Sequence, residues 1–313
     1  MKKISFAWVA PTVLLALGGL AALPACDVID NPHPEKVTLS AGRRDTLALD
    51  SAEAAHPTTG VTQNVLIEDF TGQYCGNCPR AAHMADSLEH KYPGRVVAME
   101  VHATQYFAAP RLPHFPIDFR VSGVERELAP LDLDNRGLPQ GAVNRASFAA
   151  ANNDRVATYA LWPEAVTSQL AQTPTVDLRV TPLFNPTSRL LRLKISAKYL
   201  TARPGARMNL GILVVEDSLV GAQKDYRLNR SVYPEQTVEE YEHHNVLRAV
   251  VPALYGGQQV ESPTAGQQII SYLGYPMNAA PASTWNAKHC SVIVFVSDAS
   301  TNQVVQVVQA KLQ

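Results

Sequence analysis

The spacing of apolar and polar residues changes character once along this chain, near residue 173. Before that point, short apolar runs alternate with stretches of helical period. Val65–Phe70 is an apolar, β-branched run that predicts a first strand, and Val96–Val101 predicts a second, mostly buried one. Between them Ala81, Met84, Ala85 and Leu88 recur at i, i+3, i+4 and i+7. That spacing predicts a helix with one apolar face, starting at Cys75–Cys78 and ending before Tyr92-Pro93-Gly94. Pro79 suits its first turn, where a missing N–H costs little. From His102 to Asn135 the pattern is irregular, with Pro110, Pro113 and Pro116 and then a helical stretch near Val124–Leu133. A short strand follows Arg145, and Trp162–Gln172 reads as an amphipathic helix. The alternation predicts an α/β layer over residues 61–172.

After Thr173 the period becomes two. Leu191, Leu193, Ile195, Ala197 and Tyr199 alternate with Arg192, Lys194, Ser196 and Lys198, the mark of a strand with one wet face. Val176–Val180, Leu210–Val215, Gln268–Leu273, Cys290–Val296 and Val304–Leu312 add further strands separated by Pro- and Gly-bearing turns. Strands in series without long helices predict an antiparallel β-sandwich over residues 173–313.

The first 25 residues read as an export signal: Met1-Lys2-Lys3, an apolar run from Phe6 to Leu23, and small residues before Cys26. An uncleaved membrane helix is the alternative, but a span needs about 20 apolar residues, and Pro11 and Gly18-Gly19 interrupt this run. Leu23-Pro24-Ala25-Cys26 resembles the lipobox of bacterial lipoproteins, which implies an acylated Cys26 and anchoring to a membrane. Asp27 after it is a sorting cue in some bacteria. Residues 26–60, rich in Pro, Asp, Ala and Thr with a short Leu47-Ala48-Leu49 island, read as a tether.

Loss of the signal leaves 25 basic against 28 acidic side chains, a net charge near −3. No basic stripe marks a nucleic-acid partner. Of the four cysteines, Cys26 is assigned to lipid, Cys75 and Cys78 form a Cys-x-x-Cys, and Cys290 opens a strand-forming run as a buried core thiol.

A Cys-x-x-Cys admits three readings: a redox dithiol, a structural bridge, or half of a zinc site. Zinc would need further ligands, and the candidates are Cys290 and Glu239-Glu240-Tyr241-Glu242-His243-His244, a run that reads as a solvated loop. No metal or cofactor is assigned. Asp69 lies six positions before the first cysteine, Tyr74 stands beside it, and Arg136-Gly137-Leu138-Pro139 follows later. Together these resemble the thioredoxin family, whose Gly-x-Pro segment carries a cis proline facing the dithiol. The resemblance implies Cys75 as an exposed attacking thiolate, Cys78 as the resolving thiol, and Asp69 as a buried proton acceptor. It also implies that Pro139 leaves the Leu138 backbone open to an extended substrate. Arg80 and His83 are candidates to tune the thiolate or ordinary exposed helix residues, and His102 is a weaker site candidate at a strand end.

The segment Glu68–Pro79, with Pro139–Arg145 and Tyr241–Arg248, is similar to the Omp28-type outer-membrane protein family of Bacteroidetes-like bacteria. That resemblance implies a lipoprotein with a thioredoxin-like domain followed by a β-rich domain, in the cell envelope at the outer membrane. Two functions are then expected. One is thiol–disulfide exchange on cysteines of other envelope proteins; the other is a non-enzymatic, adhesin-like surface protein with a structural bridge and a protein or glycan ligand for the β domain. Redox direction, membrane face and oligomeric state stay open.

Overall fold

The computed structural model describes residues 48–52, 61–124, 128–251, 259–279 and 281–312. The export signal, Cys26 and most of the expected tether lie outside the described residues. Among the described residues fourteen strands, β1 to β14, and four named helices, α1 to α4, besides a helical turn at 48–52, make a mixed α/β chain dominated by strands in several sheets. No helix among the described residues is long and apolar enough to cross a membrane.

The chain enters through β1 (Val65–Thr71), turns into α1 (Cys78–Lys91), and returns through β2 (Val96–His102), which pairs parallel to β1 from Val65↔Val96 to Thr71↔His102. Both strands are buried along their whole length. Val65, Ile67, Val96 and Ala98 face Ala81, Ala85 and Leu88 of α1, while Leu66, Phe70, Val97, Met99 and Val101 face the other way. Burial on both faces explains why these strands read as continuous apolar runs. Two single-turn helices, α2 (Gln105–Ala108) and α3 (Leu133–Arg136), frame the irregular segment, leading to β3 (Gln140–Val143) and β4 (Val156–Ala157). β3 pairs antiparallel with β1, and β4 with β3. α4 (Trp162–Leu170) sets Trp162 and Val166 into the α1-side core.

The second half supplies β5 (Val176–Asn185), β6 (Leu190–Tyr199), β7 (Arg207–Glu216), β8 (Leu219–Lys224), β9 (Thr237–His243), β10 (Val246–Val250), β11 (Gln259–Glu261), β12 (Gln268–Pro276), β13 (Cys290–Asp298) and β14 (Val304–Lys311). These strands do not stay apart from the first half. One sheet runs β14-β13-β7-β10-β2-β1-β3-β4, with β11 also on β7, and it crosses the boundary expected near residue 172 at Val246↔Glu100. A single core cluster joins Leu66, Phe70 and Met99 to Leu213, Leu247, Phe295 and Val307.

A three-stranded sheet, β12-β6-β5, packs Leu191, Leu193 and Ile195 against Ile212, Val214, Val292 and Val294. β7 and β13 are thereby covered on both faces, so their sequences are apolar without alternation, whereas β6 shows the two-residue period. Lys194 on its other face is still buried, because the helical turn at 48–52 covers it and Asp50 pairs with Lys194 and Tyr272. Leu49 is fully buried there, so the helical turn at 48–52, inside the expected tether, docks on the folded body. Cys290 lies in the same core, and burial pushes its thiol up to about 12.

Candidate functional site

β1 delivers the chain to a tight loop, Gly72–Asn77, that ends on the first turn of α1. The Cys75 N–H donates to the Gly72 carbonyl at 2.9 Å and the Cys78 N–H to the Cys75 carbonyl at 3.2 Å. Cys75 and Cys78 form a disulfide with a Cα–Cα distance of 5.4 Å. α1 begins at Cys78 with a proline in its first turn, so Cys75 lies one turn ahead of the helix.

The expected exposure of Cys75 is not found. Both cysteines are 1% exposed. The chain from β8 onward lies over the loop and bonds to it almost as a neighbouring strand would. Lys224 N–H donates to the Gln73 carbonyl and Tyr226 N–H to the Gly76 carbonyl, each at 2.8 Å. The Gln223 side-chain amide, itself buried, donates to the Cys75 carbonyl at 2.9 Å, and the Gln73 amide returns a bond to the Ala222 carbonyl at 3.1 Å. Tyr226 closes the lid: its ring occupies the space that a side chain at Gly76 would need. Around the rim, Arg111 stacks over Tyr74 at 4.0 Å and Tyr106 meets Tyr74 edge to face. The carbonyls of Gln73, Cys75 and Gly76 are thus taken up by the chain itself.

Asp69 sits in β1, three residues before the loop, 1% exposed and with neither carboxylate oxygen hydrogen-bonded. Burial raises its pKa well above the ordinary carboxyl range, and the neighbouring Glu100 charge adds to the rise. The Leu138–Pro139 peptide is cis. Pro139 precedes the Phe70↔Gln140 pair by one residue, which sets it at the sheet end from which the chain leaves for Cys75. Arg80 and His83 are exposed on α1.

A second polar group lies on the α1 side of the sheet. Glu100 and His102, two apart on β2, present one face, and Glu100 is the register partner of Asp69. His243, the last residue of β9, reaches them from the hairpin that also carries the cover. Its Nδ1 is 3.3 Å from Glu100 Oε2, and His102 Nε2 is 3.7 Å from the same oxygen. All three residues are buried, and one donor atom from each lies within 4.8 Å of the others. Burial lowers the His102 pKa. For Glu100 burial acts upward, but the two imidazoles outweigh it and hold the carboxyl low.

Sequence reading placed the Cys75–Cys78 loop and its helix, and singled out Asp69, Pro139 and His102. It missed Glu100 and the buried role of His243, because the run 239–244 is polar enough to resemble a solvated loop. It is instead largely strand, with β9 pairing to β8 from Thr237 to His243. The signal available was Glu100-Val101-His102 inside an otherwise apolar strand. The covering residues Gln223 and Tyr226 carry no sequence mark at all.

A family model described as outer membrane protein Omp28 matches residues 131–313. Among solved structures, HBP35 of Porphyromonas gingivalis aligns with a TM-score of 0.53 and 16% identity, covering 82% of this chain and 77% of that one. A protein of Agrobacterium tumefaciens aligns at TM-score 0.46 and 14% identity over 80% of this chain and 95% of that one. A domain of the outer membrane lipoprotein Omp28 from Porphyromonas gingivalis aligns at 0.29 and 16%, over 45% and 91%. No curated protein sequence matches the chain. At this identity the likeness to HBP35 speaks for the fold alone. The family match spans more than half of the sequence, including the cover and the β-rich half, and on that ground the chain belongs to the outer membrane protein family Omp28.

Proposed function

We propose that this protein is a lipid-anchored outer-membrane protein, held through Cys26, that binds a partner without catalysis and uses the Cys75–Cys78 bridge to fasten its fold. The observation that carries this reading is the burial of both cysteines in a loop whose backbone Gln223–Tyr226 cover. Exchange requires a thiolate to reach a disulfide sulfur, and no incoming group reaches these without lifting the cover. Large apolar side chains stand exposed on the two segments around the bridge: Tyr106 and Leu112 on one, Val220, Tyr226, Val232 and Tyr233 on the other. A partly apolar, aromatic rim of this kind suits a protein or glycan ligand. The same proposal takes residues 61–172 as a thioredoxin-like unit, supported by the β1-α1-β2 crossover and antiparallel β3 and β4, and residues 173–313 as a β-sandwich, supported by the β12-β6-β5 layer.

The test is an insulin-reduction assay on the native chain, paired with thermal unfolding of the Cys75→Ser/Cys78→Ser variant. No turnover together with lowered stability is expected. Turnover that disappears in Cys78→Ser, with envelope proteins trapped through Cys75, would overturn the proposal.

One observation favours exchange as a second reading. A buried carboxyl without a hydrogen-bond partner, as at Asp69, is costly for stability alone and suits a proton acceptor for Cys78 once the cover lifts. With the bridge first opened by an external dithiol, which leaves as a disulfide, Cys75 thiolate would attack a partner disulfide, expelling one partner thiolate. Cys78 would next displace the second partner thiol, restoring the bridge.

A further inference from the structure

We propose that Glu100, His102 and His243 form a binding site for a divalent first-row transition-metal ion that ties the β8–β9 hairpin to β2. His102 makes no hydrogen bond through either ring nitrogen, and His243 makes none through Nε2, although all of these atoms are shielded from solvent. A neutral imidazole always carries one N–H and one lone pair, so His102 as placed leaves both a donor and an acceptor unused. Buried polar groups are ordinarily paired, and such an exception calls for a reason.

The geometry supplies one. His102 Nε2 and His243 Nδ1 both turn to Glu100 Oε2, at 3.7 and 3.3 Å, and the three donors lie within 4.8 Å of one another. Ligands of a tetrahedral zinc ion, with bonds of about 2.0–2.1 Å, stand roughly 3.3 Å apart. Two edges of the triangle are near that spacing, and the third closes by small side-chain rotations. Two imidazoles and one carboxylate are a donor set suited to zinc or ferrous iron, and they leave a fourth position for water or a small anion. The rings of Phe119 and Tyr241 pack against His243, at 5.1 and 4.8 Å, and form a dry wall around the donors. Asp69, also without partners, faces the site from β1, so its carboxyl is placed to offset the charge of a dication.

The location gives the ion a task. Glu100 and His102 belong to the strand beside β1, while His243 ends the hairpin whose other strand runs on into the cover. An ion held by all three would clamp that hairpin, and with it Gln223 and Tyr226, over the disulfide. This assignment does not depend on whether the bridge is structural or catalytic.

The experiment uses the full chain with its disulfide intact, grown with added zinc, iron or manganese, dialysed, and assayed for bound metal. Zinc alone is the probe in subsequent titrations of chelator-stripped protein. A single ion per chain is expected. His243→Gln and His102→Gln are expected to weaken zinc binding by more than about 100-fold, beyond the 10–100-fold that loss of an outer-shell partner brings. His114→Gln, at an exposed imidazole paired with Glu239, is expected to leave binding unchanged. Stripping the ion is expected to speed reduction of the Cys75–Cys78 bridge. Should the histidine variants fail to fold, the visible spectrum of the cobalt-loaded native chain reports on the ligands directly: nitrogen and oxygen donors are expected. Thiolate charge-transfer bands, metal retention unchanged in both folded histidine variants, or no retained metal in the folded native chain would each overturn the site.

Discussion

Tyr226 holds Gly76 from two directions: its backbone N–H donates to the Gly76 carbonyl at 2.8 Å, and its ring fills the volume where a β-carbon at position 76 would project. Gly76→Ala therefore forces the ring away. Overpacking of this kind costs about 1–3 kcal/mol, which corresponds to roughly 5- to 150-fold more time with the cover displaced. A time course of reduction by a phosphine, followed by alkylation of the freed thiols, is expected to accelerate by a factor in that range. An unchanged rate would mean that the cover does not control access.

Removal of the bridge tests the other side of the same contact. The cysteines are separated by 3 positions, so little chain is closed, and loop entropy gives the bond about 2 kcal/mol. The double serine variant is expected to lose that amount in urea unfolding while keeping its circular-dichroism spectrum.

How far the sequence foretold this arrangement depends on what each residue had to reveal. The β1–α1–β2 unit was legible because Val65–Phe70 and the Ala81–Leu88 stripe carry strong, local periodicity. β6 was legible for the same reason. The join between halves was not, since Val246↔Glu100 depends on tertiary placement and leaves no periodic trace. Nor was the cover, because Gln223 and Tyr226 look like ordinary hairpin residues until their backbone partners are known. Glu100 and His102 did differ from their neighbours, and a charged residue in a doubly buried strand is a signal that apolar period-counting discards.

On the face of β1 away from α1, Glu68 and Arg145 make a two-pronged ion pair, both bonds 2.7 Å, and the guanidinium also lies over Phe295 at 5.0 Å. Arg145→Met leaves a buried carboxylate without its partner and is expected to cost about 3–5 kcal/mol. Adding Glu68→Gln to it is expected to recover much of that loss. Chemical denaturation of the two singles and the double gives the coupling directly.

Stability is also expected to depend on pH through Glu89 of α1. Burial raises its pKa from 4.5 to about 7, against the pull of its bond from the Ala98 N–H. A carboxyl whose folded pKa exceeds its unfolded one stabilises the protein while protonated. That contribution is present at pH values below 4.5 and declines as pH rises through about 7. Glu89→Gln is expected to flatten this decline, read as melting temperature against pH.

The strand order has a practical corollary for anyone dissecting the molecule. Ending the polypeptide at residue 172 would strip β10 from the flank of β2 and uncover the apolar side of β1 that Phe295 and Val307 blanket. The remnant would display a raw hydrogen-bonding margin and a greasy flank, a combination that favours self-association. Fragments cut at that point should be handled as sticky partial structures, and swapping either portion between relatives calls for transplanting β10 and β14 along with the amino-terminal segment.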